Sequence, residues 1–154
     1  MIERIGVVAN AHSLFHGSKK NLGDPVSYPL LMGAITNERR LLEATACVQA
    51  RAGQQRFLES LTIAKMRYLV CETEDELTDK FAFEMIRIAP MVDTLVIATG
   101  DHSVLSIIDY LEETKRKPNV ELWFFEQDVD RDLREGVDTV RHITQEMIYQ
   151  STQQ

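Results

Sequence analysis

The chain has 154 residues, 44% of them hydrophobic, and a formal net charge of −7 at pH 7. This length suits one domain with a sizeable core and is too short for two domains of ordinary size. An acidic chain without a long apolar run is not expected to bind nucleic acid over its whole surface or to span a membrane, and the lack of a signal-peptide pattern favours a cytoplasmic protein.

Charge and cysteine content add two expectations. Residues 1–70 carry nine Lys and Arg against five Asp and Glu, whereas residues 71–154 carry eight against nineteen. This asymmetry suits a site with acidic ligands on one side and bases for phosphate on the other, although solvated acidic helices produce it as well. Cys47 and Cys71 lie in apolar segments, so we expect reduced, buried thiols that act as small hydrophobic side chains.

Strand-like and helix-like patterns alternate in the first half of the chain. A β-branched run over residues 5–9, ending at Asn10, predicts the first strand. A polar connection is predicted over 12–21, because Gly17, Gly23 and Pro25 disfavour a regular helix. Apolar spacing then predicts a short helix over 28–35, a second strand over 40–48 and a helix over 54–63.

The alternation continues in the second half. Residues 65–71 alternate between polar and apolar and predict a third strand, followed by a helix that ends at Pro90. The apolar run 93–99 predicts a strand buried on both faces, with a helix from 103 to 115 and a fifth strand over 120–125 after it. Apolar residues at helical steps predict a last helix before a polar tail at 149–154: Leu133, Val137, Val140, Ile143 and Met147.

This alternation predicts a three-layer α/β/α sandwich around a mainly parallel, five-stranded sheet, with residues 1–148 as a single domain. In a doubly wound sheet the C-terminal ends of strands one and four lie side by side at the switch point, where ligands bind. Asn10 and Asp101 are therefore expected to be neighbours in a cleft that Ser13 also faces. Asp79 or Glu84, on the helix after strand three, is expected to complete its rim.

Asp101 is the main candidate for metal chemistry. Mg²⁺ prefers oxygen ligands, and Asp101 follows strand four at the turn Thr99-Gly100-Asp101. An Asp at such a turn is also an ordinary helix cap. Asp79 and Glu84 are the nearest candidates for a second carboxylate, and a solvated helix residue explains each of them equally well.

Several of these features resemble a known family. The order of elements, the helix from Asp79 to Ala89 and the sequence Val92-Asp-Thr-Leu-Val-Ile-Ala-Thr-Gly-Asp101 are similar to the NYN domain, in its LabA-like branch. The resemblance covers roughly residues 4–145 and extends to the region of Asp138. It implies a PIN-like, Rossmannoid fold and a ribonuclease that depends on Mg²⁺ or Mn²⁺. Asp101 and Asp79 would be its metal ligands, with Asn10 and Glu84 at the other catalytic positions.

The sequence departs from the family pattern at two acidic positions. The family's first strand usually ends in Asp-Gly-x-Asn, where this chain has Asn10-Ala-His-Ser13. After strand four the family commonly has Ser-Gly-Asp-x-Asp, where this chain has Thr99-Gly-Asp-His-Ser103. Weak or absent metal binding is expected, because an amide or hydroxyl oxygen is a weaker, neutral ligand. A register one residue earlier places Thr78 at the position of Asp79 and Glu84 at the next acidic one.

Further polar side chains near the same edge are candidates for RNA contact, although an ordinary solvated surface also explains them: His12, Ser13, Lys19, Lys20, Thr99, His102 and Ser103. Two functions therefore remain open. One is a ribonuclease with residual activity. The other is a catalytically degenerate NYN domain that binds RNA or a protein partner, with a homo-oligomer also open. A receiver-like or nucleotide-binding domain is disfavoured, because Asn10-Ala-His-Ser13 supplies neither an acidic cluster nor a Gly-rich phosphate loop.

Overall fold

The computed structural model describes residues 2–114 and 116–148. Its sheet contains β1 (Arg4–Asn10), β2 (Arg40–Gln49), β3 (Arg67–Cys71), β4 (Thr94–Ala98), β5 (Asn119–Phe124) and β6 (Thr139–His142). The strand order is β3-β2-β1-β4-β5-β6, and every neighbouring pair in the sheet is parallel. The two central strands are β1 and β4, so the predicted central place of strand four is confirmed.

In the described part of the chain, six α-helices connect the strands and cover the sheet: α1 (Ala11–Leu22), α2 (Tyr28–Thr36), α3 (Gln55–Ile63), α4 (Glu74–Ile88), α5 (Val104–Glu112) and α6 (Arg131–Gly136). The predicted three-layer α/β/α sandwich is therefore confirmed. No helix among residues 2–114 and 116–148 is long and apolar enough to cross a membrane.

Two sequence predictions of local structure were wrong. The sheet has six strands rather than five, because the predicted last helix is only the short α6 followed by β6. Asp138 sets this pairing: its backbone N–H donates to the Val120 carbonyl, and its Oδ2 accepts from the Val120 N–H at 2.8 Å. Residues 12–21, predicted to be a polar connection without regular helix, lie within α1.

The helix α1 forms because its capping residues and its one interior glycine suit their surroundings. Asn10 caps its first turn by accepting from the Ser13 N–H at 2.9 Å, and Gly23 ends it in the left-handed region at φ 88°. Gly17 is buried where α1 crosses Phe125; a Cβ there would lie 2.6 Å from the nearest ring carbon. Gly17 thus permits close packing rather than interrupting the helix.

The core runs through the middle of the sheet. All five residues of β4 are buried, as the unbroken apolar run predicts. Cys47 and Cys71 are free and buried, as expected, and burial raises the pKa of the Cys47 thiol to about 12. Two sequence predictions fall on residues outside the described ranges. They are the polar tail at 149–154 and the end, at Lys115, of the helix predicted over 103–115.

Candidate functional site

A cleft of about 490 Å³ opens at the C-terminal edge of the sheet, where β1 and β4 end side by side. Residues at or just after the ends of β1, β4 and β5 form its walls together with the start of α4. These residues line it: Asn10, His12, Ser13, His16, Gly17, Lys20, Glu74, Leu77, Thr78, Gly100, Asp101, Phe124 and Asp128. Asn10, Ser13 and Asp101 share this cleft, as the switch-point argument predicts.

Hydrogen bonds tie the ends of β1 and β4 together across the cleft floor. The Ser13 hydroxyl accepts from the Gly100 N–H at 3.0 Å, while the Ser13 N–H donates to the Asn10 side chain. Gly100 lies so close to Phe124 that an added Cβ would be 2.3 Å from its ring. These contacts fix the neutral oxygens of Asn10 and Ser13 beside the turn that carries Asp101.

The turn after β4 is organised around Asp101 itself. Its Oδ1 accepts from the Ser103 N–H at 2.9 Å, and its own N–H donates to Thr99 Oγ1 at 3.1 Å. Thr99 is fully buried, so this hydroxyl anchors the turn to the core rather than facing a ligand. Asp101 has no cationic partner among the described residues.

Two other carboxylates line the cleft, and both are paired with bases. Glu74 Oε2 lies 2.5 Å from His12 Nε2. Asp128 accepts from Lys20 Nζ and from Asn21 Nδ2, each at 2.8 Å. The hydrogen bond from Lys20 holds the pKa of Asp128 below its ordinary value. The cleft is therefore a mixed surface of three acidic side chains and several basic ones rather than an acidic cluster.

This donor set fits only a weakly held divalent cation. Within residues 2–114 and 116–148, no group of three or more His, Cys, Asp and Glu side chains is placed to hold a metal ion. Asp101 can offer a carboxylate oxygen, with the neutral oxygens of Asn10 and Ser13 beside it. A second charged ligand requires Glu74 to leave His12 or Asp128 to leave Lys20, which reduces the affinity for Mg²⁺ or Mn²⁺.

The two histidines of α1 stack in the cleft wall. The ring centroids of His12 and His16 are 4.4 Å apart in an edge-to-face arrangement. His12 Nδ1 is buried and has no hydrogen-bond partner in the described part of the chain. Within the described residues the ring is therefore hydrogen-bonded through Nε2 alone, to Glu74.

The structure does not bring Asp79 to the cleft. Helix α4 presents Glu74, Leu77 and Thr78, which share one face at i, i+3 and i+4, whereas Asp79 is exposed to solvent. Thr78, which the register one residue earlier puts at the position of Asp79, lines the cleft. Asp79 can therefore not ligate a metal there without a rearrangement of α4.

The expectation that Glu84 completes the rim needs the same correction. Glu84 follows Glu74 by ten helical residues, or about 15 Å along the axis. It is 2% exposed and accepts from Thr45 Oγ1 at 2.9 Å and from Arg87 Nη2 at 2.7 Å, with Arg67 Nη1 at 3.3 Å. Burial raises its pKa, but the hydrogen bonds and charges outweigh this effect and the pKa lies below its ordinary value. Glu84 is part of a structural ion-pair network.

Four of the predicted RNA contacts also lie outside the cleft. Ser103, His102 and Lys19 are exposed and Thr99 is buried, and none of the four lines it. His102 Nε2 instead lies 2.5 Å from Asp130 Oδ2. Of the polar candidates, His12, Ser13 and Lys20 are the ones that reach the cleft.

Sequence reasoning missed Glu74, Asp128 and His16 as cleft residues. A crossover helix runs antiparallel to the strands, so its first turn lies at their C-terminal edge, and this rule points to Glu74. Asp128 follows β5, the strand next to β4, and the same edge argument applies to it. His16 required knowing that α1 is a helix, because it is i+4 from His12.

Comparison with known proteins supports the fold and gives no function. No protein-family model matches the chain, and no curated protein matches it in sequence. The fold is similar to the crystal structure of a protein of unknown function from Vibrio parahaemolyticus, with a TM-score of 0.88 and 14% sequence identity over 96% of this chain and 97% of that one. At this identity the likeness shows the fold alone.

Proposed function

We propose that this protein is a cytoplasmic, PIN-like domain of the NYN type, in its LabA-like branch, that binds single-stranded RNA in the cleft and cleaves it slowly with Mg²⁺ or Mn²⁺. The observation that supports the proposal most directly is the pairing state of the cleft carboxylates. Among residues 2–114 and 116–148, Asp101 has no basic partner at the switch point, while Glu74 and Asp128 are held by His12 and Lys20.

The proposed cleavage follows from what a metal supplies in such a site. A divalent cation activates water and offsets the charge on phosphate, and it needs several carboxylates to stay bound. With Asn10 where the resembling family has an acid, the ion is held mainly by Asp101. Cleavage is then limited by metal occupancy and by the positioning of water.

The proposed RNA contact uses the bases of the same cleft. Lys20 Nζ can exchange Asp128 for a phosphate oxygen, and the rings of His12 and His16 lie along the same wall. Phosphate contacts of this kind bind any sequence and weaken with salt. Free, buried cysteines fit a reducing compartment, which is the basis for proposing the cytoplasm.

A second candidate is a domain that has lost cleavage altogether and binds RNA or a protein partner in regulation. The absence, within the described ranges, of a three-group metal cluster favours it. The two candidates share the fold and the cleft, and they differ in whether Asp101 still supports chemistry.

Retention of a labelled single-stranded RNA on the protein tests the proposal first without metal. In EDTA we expect retention that falls as salt rises, because binding rests on phosphate contacts. No retention at low salt would refute an RNA ligand. Addition of Mn²⁺ then separates the candidates: slow cleavage supports the residual nuclease, and unchanged retention without cleavage supports the binding domain.

A further inference from the structure

A second cavity, of about 260 Å³, lies beside the cleft between α1, the start of α2 and the loop from β2 to α3. Most of its lining side chains are apolar or aromatic, including Phe15, Tyr28 and Phe57. Its volume falls just below the roughly 300–1,000 Å³ of pockets for drug-sized ligands. The cavity therefore has room for one compact ring system.

Aromatic rings form much of the wall of this cavity. Tyr28 and Phe57 pack edge to face, with centroids 5.6 Å apart. Phe15 is 38% exposed, and the guanidinium carbon of Arg51 lies 5.4 Å from its ring centroid. Aromatic faces and arginine planes are the surfaces on which nucleic-acid bases stack.

The cavity also contains a fixed polar group. Gln54 Nε2 donates to the Gln49 carbonyl at 2.7 Å, which holds the Gln54 amide at the wall. The amide oxygen is the acceptor that remains for an amino group on a ring. A few placed polar groups in an apolar pocket are the usual means of orienting a ligand.

His12 joins the cavity to the cleft, because it lines both. A ligand that fills both spaces has a flat ring on one side of His12 and an anionic group beside Lys20 on the other. From this juxtaposition we infer that the cavity is a nucleobase pocket for a nucleotide whose phosphate lies in the cleft. The inference rests on the proposed function only in taking the nucleotide to be part of an RNA strand. A free mononucleotide has the same base and phosphate and would fit the same two spaces.

Competition with a labelled single-stranded oligoadenylate tests the pocket. The competitors are AMP and ribose 5-phosphate, which differ by the base. We expect AMP to bind more tightly than ribose 5-phosphate. If AMP displaces the labelled oligoadenylate at the same concentration as unlabelled oligoadenylate does, the ligand is a free nucleotide. If AMP displaces it much more weakly, the ligand is an RNA strand.

Two variants locate the base. Phe15→Ala is expected to weaken AMP and oligoadenylate binding about 5- to 150-fold, the range for loss of one stacked base. Phe83→Ala is the matched control, because Phe83 is 60% exposed on α4 and lines neither cavity, and it should leave binding unchanged. Arg51→Gln is a second test in case Phe15→Ala disturbs the folding of α1. Because Arg51 lies in an exposed loop, this variant should weaken binding without affecting folding.

Three outcomes decide the matter. The nucleobase pocket is refuted if Phe15→Ala and Arg51→Gln bind as tightly as Phe83→Ala, or if ribose 5-phosphate competes as well as AMP. In that case, RNA retention that depends on Lys20 would still support the proposed function. AMP binding that depends on Phe15, measured directly by isothermal titration calorimetry in a protein that does not retain RNA, supports the pocket and refutes the proposed function. Failure of both AMP and RNA to bind the wild type overturns both.

Discussion

Gly17→Ala is expected to destabilise the protein relative to Gly33→Ala by about 1–3 kcal/mol. Both positions are helical, so alanine brings the same gain in helix propensity, about 1 kcal/mol, and this gain cancels in the comparison. At Gly33 an added Cβ meets nothing within 4 Å. At Gly17 it would lie 2.6 Å from Phe125, which is 1% exposed and has no room to withdraw. The difference between the variants is therefore the cost of overpacking alone.

Urea denaturation followed by far-UV circular dichroism measures this difference. With a slope of about 2 kcal/mol per molar urea, the two midpoints should be separated by roughly 0.5–1.5 M. Helix α1 carries His12 and Lys20 into the cleft, so Gly17→Ala should also retain less RNA than Gly33→Ala. Coincident midpoints would refute the reasoning, because they would show that α1 and Phe125 separate at no cost.

Lys20→Ala should weaken retention of single-stranded RNA in filter binding and Lys19→Ala should not, because only Lys20 lines the cleft; equal losses would contradict this placement. Arg87→Ala should cost about 3 kcal/mol at pH 7, since it removes the closest partner of buried Glu84. The wild-type Glu84 pKa is lowered, so its contribution is present above the ordinary value of 4.5 and is lost as pH falls through the folded pKa. Urea denaturation should show a constant gap in stability between variant and wild type above about pH 5 and a gap that narrows as the pH falls below 4.5, and a gap that stays constant below pH 4.5 would exclude this cause. Asn10→Asp should keep the cap of α1 and increase the rise in melting temperature that Mn²⁺ produces, compared with the wild type. Equal Mn²⁺ shifts would show that residue 10 does not contact the ion.

The sheet could be predicted because strands of this kind are specified locally. The run Leu95 to Ala98 is apolar without interruption, and only a strand covered on both faces suits it. The helical and extended patterns around it alternate, which limits the topology to a parallel sheet with crossovers. The adjacency of Asn10 and Asp101 follows from that topology alone.

The two local errors have a common physical cause, since each depends on contacts with distant residues. Gly17 disfavours a helix in isolation, and its value appears only when Phe125 packs against it. Val140 fits the helical spacing of the apolar residues before it, and its pairing with Leu122 of β5 is what places it in a strand.

The candidate site was less predictable than the fold, because side chains converge on it from four elements. Glu74 and Asp128 are 54 residues apart in the chain. They line the same cleft because each pairs with a base of α1, which packs between them. The positions of His12 and Lys20 in the sequence predict them as candidates for RNA contact. The sequence does not show that they pair with Glu74 and Asp128. Asp79 and Glu84 are candidates by charge and by their place on the helix after strand three; the direction of the α4 face excludes Asp79, and the distance along the helix excludes Glu84.

The rate at which end-labelled single-stranded RNA is cleaved with Mn²⁺, by wild type and by Asp101→Ala, tests the proposed function most directly. We expect slow cleavage by the wild type and none by Asp101→Ala, with RNA retention in EDTA unchanged by the substitution. Rapid cleavage by the wild type would show that Asn10 and the paired carboxylates do not limit the metal site. Cleavage that survives Asp101→Ala would contradict the assignment of the chemistry to this cleft.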